Sequence, residues 1–145
     1  MSFTTMLTLA LTFVVLLNHG ASSSSPNLTL ITVASEQTDG FKRFMRSAKH
    51  YDYDVKVLGM GKPWKGGDMN FPGGGYKVNL LKEALTDLVV EKGKEHIVMF
   101  TDSYDVVIND KPEVIAEKFL IMDAGVVFSA EPFIWPDVSL GSIYI

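Results

Sequence analysis

An apolar run that breaks at two acids constrains this chain more than any other feature. His96–Ile108 reads HIVMFTDSYDVVI, so the run rises to Thr101, is interrupted by Asp102 and Asp105, and then becomes apolar again. A short apolar run of this kind is typical of a buried strand in a parallel sheet. Ligands of such sheets bind at the carboxyl ends of the strands. We therefore expect an α/β fold in which these two carboxylates face a ligand.

The rest of the sequence predicts further strands that alternate with helices. The predicted strands are Asn27–Ser35, Asp54–Leu58 and Gly125–Ala130, the last as a further buried strand. The predicted helices begin near Thr38, Tyr76 and Asp110. The order β-α-β-α-β-α-β is typical of a mostly parallel sheet flanked by helices.

A glycine-rich segment precedes the second predicted helix. Gly59–Gly75 carries Trp64, and a loop of this length in a compact domain is usually functional or disordered. Its last glycines lead into a helix amino terminus, whose free N–H groups suit an anion, and Lys77 adds a positive charge there. A flexible turn with an incidental surface lysine fits the same residues equally well. The buried stripe of this helix, from Tyr76 to about Val90, is expected at Val78, Leu81, Leu85 and Leu88.

The amino terminus has the pattern of a secretory signal peptide. Met6–Leu17 is mostly apolar but too short to span a bilayer as a helix, so no membrane span is expected. Small residues follow it at Ala21 and Ser23, which suit cleavage, although no Lys or Arg precedes the run. We expect residues 1–23 to be a signal peptide outside the fold and residues 24–145 to form the domain. The alternative is a buried amino-terminal helix.

Charge and composition exclude some classes of partner and site. A net charge of −4 gives no basic surface for nucleic acid. With no cysteine in the chain, a disulfide framework and a thiolate metal site are both excluded. The apolar ending at Ser142–Ile145 is unusual for a terminus, and we expect the chain to be a piece of a longer protein.

The paired acids suit a hard divalent cation. A turn can bring side chains at i and i+3, here Asp102 and Asp105, to one side, and carboxylate oxygens suit magnesium or manganese. Such a metal can offset the charge on a leaving diphosphate, and Tyr104 could offer its ring to a base. The same residues also fit a plain turn that Asp102 caps while Asp105 stays solvated.

Several segments, taken in order, carry a family resemblance. They are LITVAS with TDGFKRFMRSAKHYDYDVKVLG, WKGGD with GGGYKV, MFTDSYDVV, and VVFSAEPFIWPD. Together they resemble the amino-terminal glycosyltransferase domain of the procollagen-lysine 2-oxoglutarate 5-dioxygenases, the multifunctional lysyl hydroxylases. The similarity covers Leu28–Asp137.

The resemblance implies a fold and a set of site residues. The fold would be GT-A-like (Rossmann-like), with a mostly parallel sheet that is incomplete at the carboxyl end. Asp102 and Asp105 would bind manganese. The residues implied to contact the UDP-sugar are Thr32 at a strand end, Trp64, Asp68 and Lys77 around the nucleotide sugar, Tyr104 beside the uridine and Trp135 at the sugar cavity.

The resemblance also implies partners and location. The donor would be UDP-galactose or UDP-glucose, and the acceptor would be collagen hydroxylysine. The location would be the endoplasmic reticulum lumen and secretory pathway, and an extracellular location is the alternative. The full-length protein would be a homodimer. Catalytic residues, including a third metal ligand, are expected beyond Ile145, as is the hydroxylase domain that uses Fe²⁺, 2-oxoglutarate and ascorbate. The chain alone is expected to be inactive.

Two alternatives stay open. One is a non-catalytic secreted α/β module that serves as a scaffold for the hydroxylase domain, which departures such as Met69–Pro72 in the glycine loop would favour. The other is a flavodoxin-like nucleotide binder. It is disfavoured because Gly73–Gly75 follows a long loop, whereas a dinucleotide fingerprint follows a strand.

Overall fold

The computed structural model describes residues 13–16, 27–66, 75–92, 96–129 and 138–143. The strands are β1 (Phe13–Leu16), β2 (Leu28–Val33), β3 (Asp54–Leu58), β4 (Ile97–Phe100) and β5 (Val126–Phe128). The α-helices are α1 (Asp39–His50), α2 (Gly75–Lys92) and α3 (Pro112–Ile121), and a 3₁₀ helix covers Val138–Ile143. None of the helices in these ranges combines the length and apolarity needed to cross a membrane.

The strands form one mixed sheet in the order β3-β2-β4-β1-β5. Its first three strands are parallel, with β2 hydrogen-bonded to β3 on one side and to β4 on the other. Strand β1 runs antiparallel to both β4 and β5. The predicted α/β class is confirmed, and the parallel part with its flanking helices agrees with a GT-A-like fold.

Helices cover both faces of the parallel strands because side chains in β2 and β4 alternate between apolar clusters. On one face Leu30 and Met99 pack with Phe44 of α1 and Phe119 of α3. On the other face the cluster belongs to α2 and contains Ile31, Val33, Leu81, Ala84, Leu88, Val98 and Phe100. Continuous apolar runs are what strands buried on two faces require.

Helix α1 begins where its capping signal lies. The Thr38 hydroxyl accepts a hydrogen bond from the Phe41 N–H at 3.2 Å, and Asp39 places a negative charge in the first turn. In α2 the buried positions are Leu81, Ala84 and Leu88. Val78 is exposed, so the predicted stripe was wrong at its first position.

One sequence prediction about strands was wrong, and another stays a prediction. Residues 1–23 are predicted to be a signal peptide outside the fold, and this stays a prediction. In the full chain Phe13–Leu16 pairs with two strands of the sheet, where it satisfies backbone groups that would otherwise form open edges. The last strand was expected to be buried, but Val126 is 47% and Phe128 63% exposed, because β5 lies at the sheet edge.

Candidate functional site

The segment Thr101–Asp105, here called the acidic turn, follows β4 at the carboxyl end of the parallel strands. It lies against the end of β2, where the Ser103 hydroxyl donates to the Val33 carbonyl at 3.4 Å. Thr101 and Ser103 are buried. Buried anchors alternate with the acids, so the turn has a fixed place beside β2.

Tyr104 is fixed at its phenol end. Its hydroxyl oxygen accepts a hydrogen bond from the Ser35 N–H at 3.2 Å, just beyond β2. The whole residue remains 41% exposed. A ring that is tethered at its tip and open to solvent is suited to stack against a planar ligand.

The acidic turn also packs directly on the first turn of α1. A Cβ at Gly40 would lie 2.1 Å from the Tyr104 carbonyl oxygen, far inside any real contact, so only glycine fits there. The Arg43 guanidinium donates to the same carbonyl at 3.3 Å. The positive end of the α1 dipole therefore lies beside the acids.

Lys77 approaches the acidic turn from the other side of the sheet. Its Nζ lies 2.5 Å from Asp102 Oδ1, and the two side chains are 29% and 20% exposed. This is a short, charge-assisted hydrogen bond between the first turn of α2 and the turn after β4. The structure thus brings together two of the predicted site residues that are distant in sequence.

Asp105 experiences the charge of Asp102. Loss of water around its carboxyl group raises the pKa of Asp105 above its ordinary value, and the charge of Asp102 raises it further. A backbone hydrogen bond and the charge of Lys77 oppose this rise. A neighbouring carboxylate that disfavours ionisation is the condition that a divalent cation relieves.

The donor set of the acidic turn fits a hard cation in part. Asp102 and Asp105 supply carboxylate oxygens, which manganese and magnesium accept. In the ranges that the structure describes, no group of three or more His, Cys, Asp or Glu side chains is placed to hold a metal ion. The remaining ligands would come from water, from a bound diphosphate or from residues outside those ranges.

Trp64 is folded back toward the start of α2. Its ring meets the Tyr76 ring edge-on, with centroids 5.3 Å apart, and Tyr76 directly precedes Lys77. A Cβ at Gly66 would lie 2.0 Å from the indole ring, so this glycine lets the loop close over the ring. The predicted loop residue therefore reaches the helix end that contacts Asp102.

The other predicted residues do not join this group. Thr32 lies inside β2, is fully buried, and its hydroxyl has no hydrogen-bond partner among the described residues, so it is not an accessible strand-end contact. Asp68 and Trp135 lie outside the described residues. A surface groove of about 480 Å³ runs along α3 beside Glu113 and Glu117, away from the acidic turn.

Sequence reasoning missed three residues that hold the acidic turn, namely Ser35, Gly40 and Arg43. Gly40 carried a signal, because glycine in a helix is destabilising relative to alanine unless close packing requires it. Ser35 and Arg43 carried none, since they lie 69 and 61 residues from their partner Tyr104.

Comparisons with known proteins agree on one family. The family model described as "PLOD GT domain" matches residues 24–145. The chain is 49% identical to a procollagen-lysine,2-oxoglutarate 5-dioxygenase of Drosophila melanogaster, over 85% of this chain and 17% of that protein. It is 41% identical to a multifunctional procollagen lysine hydroxylase and glycosyltransferase of Caenorhabditis elegans, over 82% of this chain and 16% of that protein. The rat protein of that description, LH3, is 40% identical over 87% of this chain and 17% of its own length. The chain thus spans less than a fifth of the curated relatives it matches.

Proposed function

Because the chain belongs to the family of PLOD glycosyltransferase domains, we propose that it forms the donor-binding portion of a manganese-dependent, UDP-sugar-using glycosyltransferase. Asp102 and Asp105 would hold the cation, and the donor would be UDP-galactose or UDP-glucose. The acceptor would be collagen hydroxylysine. Full activity would require parts of the parent protein that this chain does not contain.

The observation that carries the proposal is the meeting of Asp102, Lys77 and Tyr104 at one end of the sheet. A paired carboxylate and ammonium lie at a strand's carboxyl end, and a half-exposed aromatic ring is tethered two residues away. A nucleoside diphosphate needs these three chemistries: a cation holder, a positive group for phosphate, and a flat apolar surface for the base.

Each residue has a role that follows from its contacts. Asp102 and Asp105 would present oxygens to the cation from a turn that Ser103 anchors. Lys77, in the first turn of α2, would bind phosphate oxygens together with the free N–H groups of that helix end. Tyr104 would stack on the uracil ring. A manganese ion bound there would supply Lewis-acid stabilisation of the leaving diphosphate.

Collagen as acceptor is supported by the names of the relatives. Those proteins are described as procollagen-lysine dioxygenases and as multifunctional procollagen lysine hydroxylases and glycosyltransferases. We extend to this chain their glycosyltransferase activity toward procollagen, and with it a location in the endoplasmic reticulum lumen and secretory pathway. The Fe²⁺- and 2-oxoglutarate-dependent hydroxylation would belong to other regions of the parent protein.

Calorimetric titration of UDP tests the proposal. We expect binding in Mn²⁺ to weaken at least about tenfold, or about 1.4 kcal/mol, when EDTA is added or when Asp102 is changed to alanine. Asp123→Asn is the matched control, because it removes one exposed acid, in a left-handed conformation that Asn tolerates, at the far end of α3. Equal UDP affinity in Mn²⁺, in EDTA and in Asp102→Ala would refute a metal-dependent donor site.

Among the described residues, no observation favours the scaffold alternative. It depended on Met69–Pro72, which lies outside the described residues. A pure scaffold also has no need for a buried serine anchor, a tethered tyrosine and a short ion pair at one strand end. The donor-binding function therefore explains more of the described structure.

A further inference from the structure

We propose that Lys77 is a stand-in cation: its ammonium pairs with Asp102 until the donor and the metal bind. The binding of donor and metal is thereby cooperative. The inference rests on the proposed function and adds regulation to the same site. It starts from the short Lys77–Asp102 ion pair.

The ion pair and a metal draw on the same carboxylate. Lys77 Nζ is 2.5 Å from Asp102 Oδ1, so the ammonium offsets the negative charge that this carboxylate, its second oxygen included, can offer to a divalent cation. An ammonium left beside a bound dication would also repel it. Metal binding is therefore weaker while Lys77 stays paired with Asp102.

A nucleotide diphosphate resolves this conflict. It offers Lys77 a new anionic partner at the start of α2, where helix N–H groups also favour an anion. With the ammonium drawn to the diphosphate, Asp102 is released to the metal. Each ligand then improves the affinity of the other, and this coupling is reciprocal by thermodynamic necessity.

The position of Lys77 supports such an exchange. It lies in the first turn of α2, and its side chain is only partly buried. A long, flexible lysine can swing between two acceptors without moving the helix, because its ammonium donates in any direction.

The test is titration of the protein with Mn²⁺ alone and with UDP alone, comparing wild type, Lys77→Met and Lys77→Arg. Manganese binding is followed by electron paramagnetic resonance of the free ion. A partly exposed ion pair is worth up to about a factor of five in an equilibrium. We therefore expect Lys77→Met to bind Mn²⁺ alone about two- to fivefold more tightly and UDP alone more weakly, and Lys77→Arg to resemble wild type.

Lys82→Met is the matched control, because it removes the same charge from an exposed position on the same helix. It should bind both ligands as wild type does. Suppose that wild type binds Mn²⁺ alone and that Lys77→Met binds it no more tightly. The stand-in role of Lys77 is then overturned, while the proposed donor site is not affected. If neither protein binds Mn²⁺, with or without UDP, the proposed function falls as well.

Discussion

At the scale of single residues, the acidic turn depends on a missing side chain. Gly40 lies in the first turn of α1, directly against the backbone of Tyr104. The obstacle to a larger residue is a carbonyl group, which cannot swing aside as the end of a flexible side chain could. The position of both acids therefore depends on the absence of a side chain at Gly40.

We predict that Gly40→Ala destabilises the protein although alanine is the better helix former. Helix propensity alone would add about 0.5–1 kcal/mol of stability. Forcing a methyl group into a filled space costs about 1–3 kcal/mol, and the turn that must move carries the proposed metal ligands. We expect a lower midpoint in urea denaturation and weaker UDP binding in Mn²⁺.

The control for this prediction is Gly125→Ala, where an added Cβ meets no atom within 4 Å. It should leave both measurements near wild type. A Gly40→Ala protein that is as stable as wild type, and that binds UDP equally well, would show that the turn does not depend on this contact.

A second residue-scale feature lies at the opposite end of the sheet. The buried His96 and the Thr29 hydroxyl are 2.8 Å apart, and that hydroxyl donates to Asp54 at 3.1 Å. The arrangement fits a neutral imidazole that donates from Nε2. Burial lowers the pKa of His96 from its ordinary value of 6.5, the charge of Lys92 adds to this, and Asp54 and Glu91 oppose it.

We predict that stability falls as the pH is lowered through the window just below about 6.5. The folded pKa of His96 is lowered, so in this window the unfolded chain binds the proton more tightly, and acid favours unfolding. Above the window the folded state keeps its full stability. Urea denaturation between pH 7.5 and 5.5 measures the slope.

Replacement of His96 separates this effect from general acid sensitivity. In His96→Gln the slope between those pH values should flatten, because a neutral donor remains beside Thr29. Identical slopes in wild type and His96→Gln would rule out His96 as the cause.

At the scale of elements, β1 separates two strands that could pair with each other. Since β1 is antiparallel to both β4 and β5, those two strands run in the same direction. Moving β5 inward by one strand spacing, about 4.8 Å, would bring them into reach of a parallel pairing. In the resulting order, β3-β2-β4-β5, all four strands would be parallel, which agrees with the mostly parallel sheet that the sequence predicts.

We predict that a protein lacking residues 1–23 re-pairs β5 onto β4. Hydrogen exchange followed by mass spectrometry measures this, because the amides of Val126–Phe128 stay protected only if they retain a strand partner. The full chain provides the reference. Rapid exchange of the β5 amides in the shortened protein, with the protection of β2 and β4 unchanged, would show that β5 does not pair with β4.

At the scale of the whole molecule, the sequence predicts the site's location better than its construction. The strand end after Phe100 is visible because an apolar run and its interruption are local signals. The contacts that build the site join distant residues, for example Lys77 with Asp102, and depend on how the helices cross the sheet. Strand β1 could not be foreseen, since a leader pattern and a short strand share the same apolar composition.

Both layers of helices reach the acidic turn. Arg43 contacts it from the α1 face and Lys77 from the α2 face, so the turn is a point where the two packed halves meet beyond the sheet. A ligand bound there would contact both helix layers and would be released on unfolding. It would therefore raise the free energy of unfolding of the entire domain, by about 2.7 kcal/mol at a free-ligand concentration one hundred times Kd.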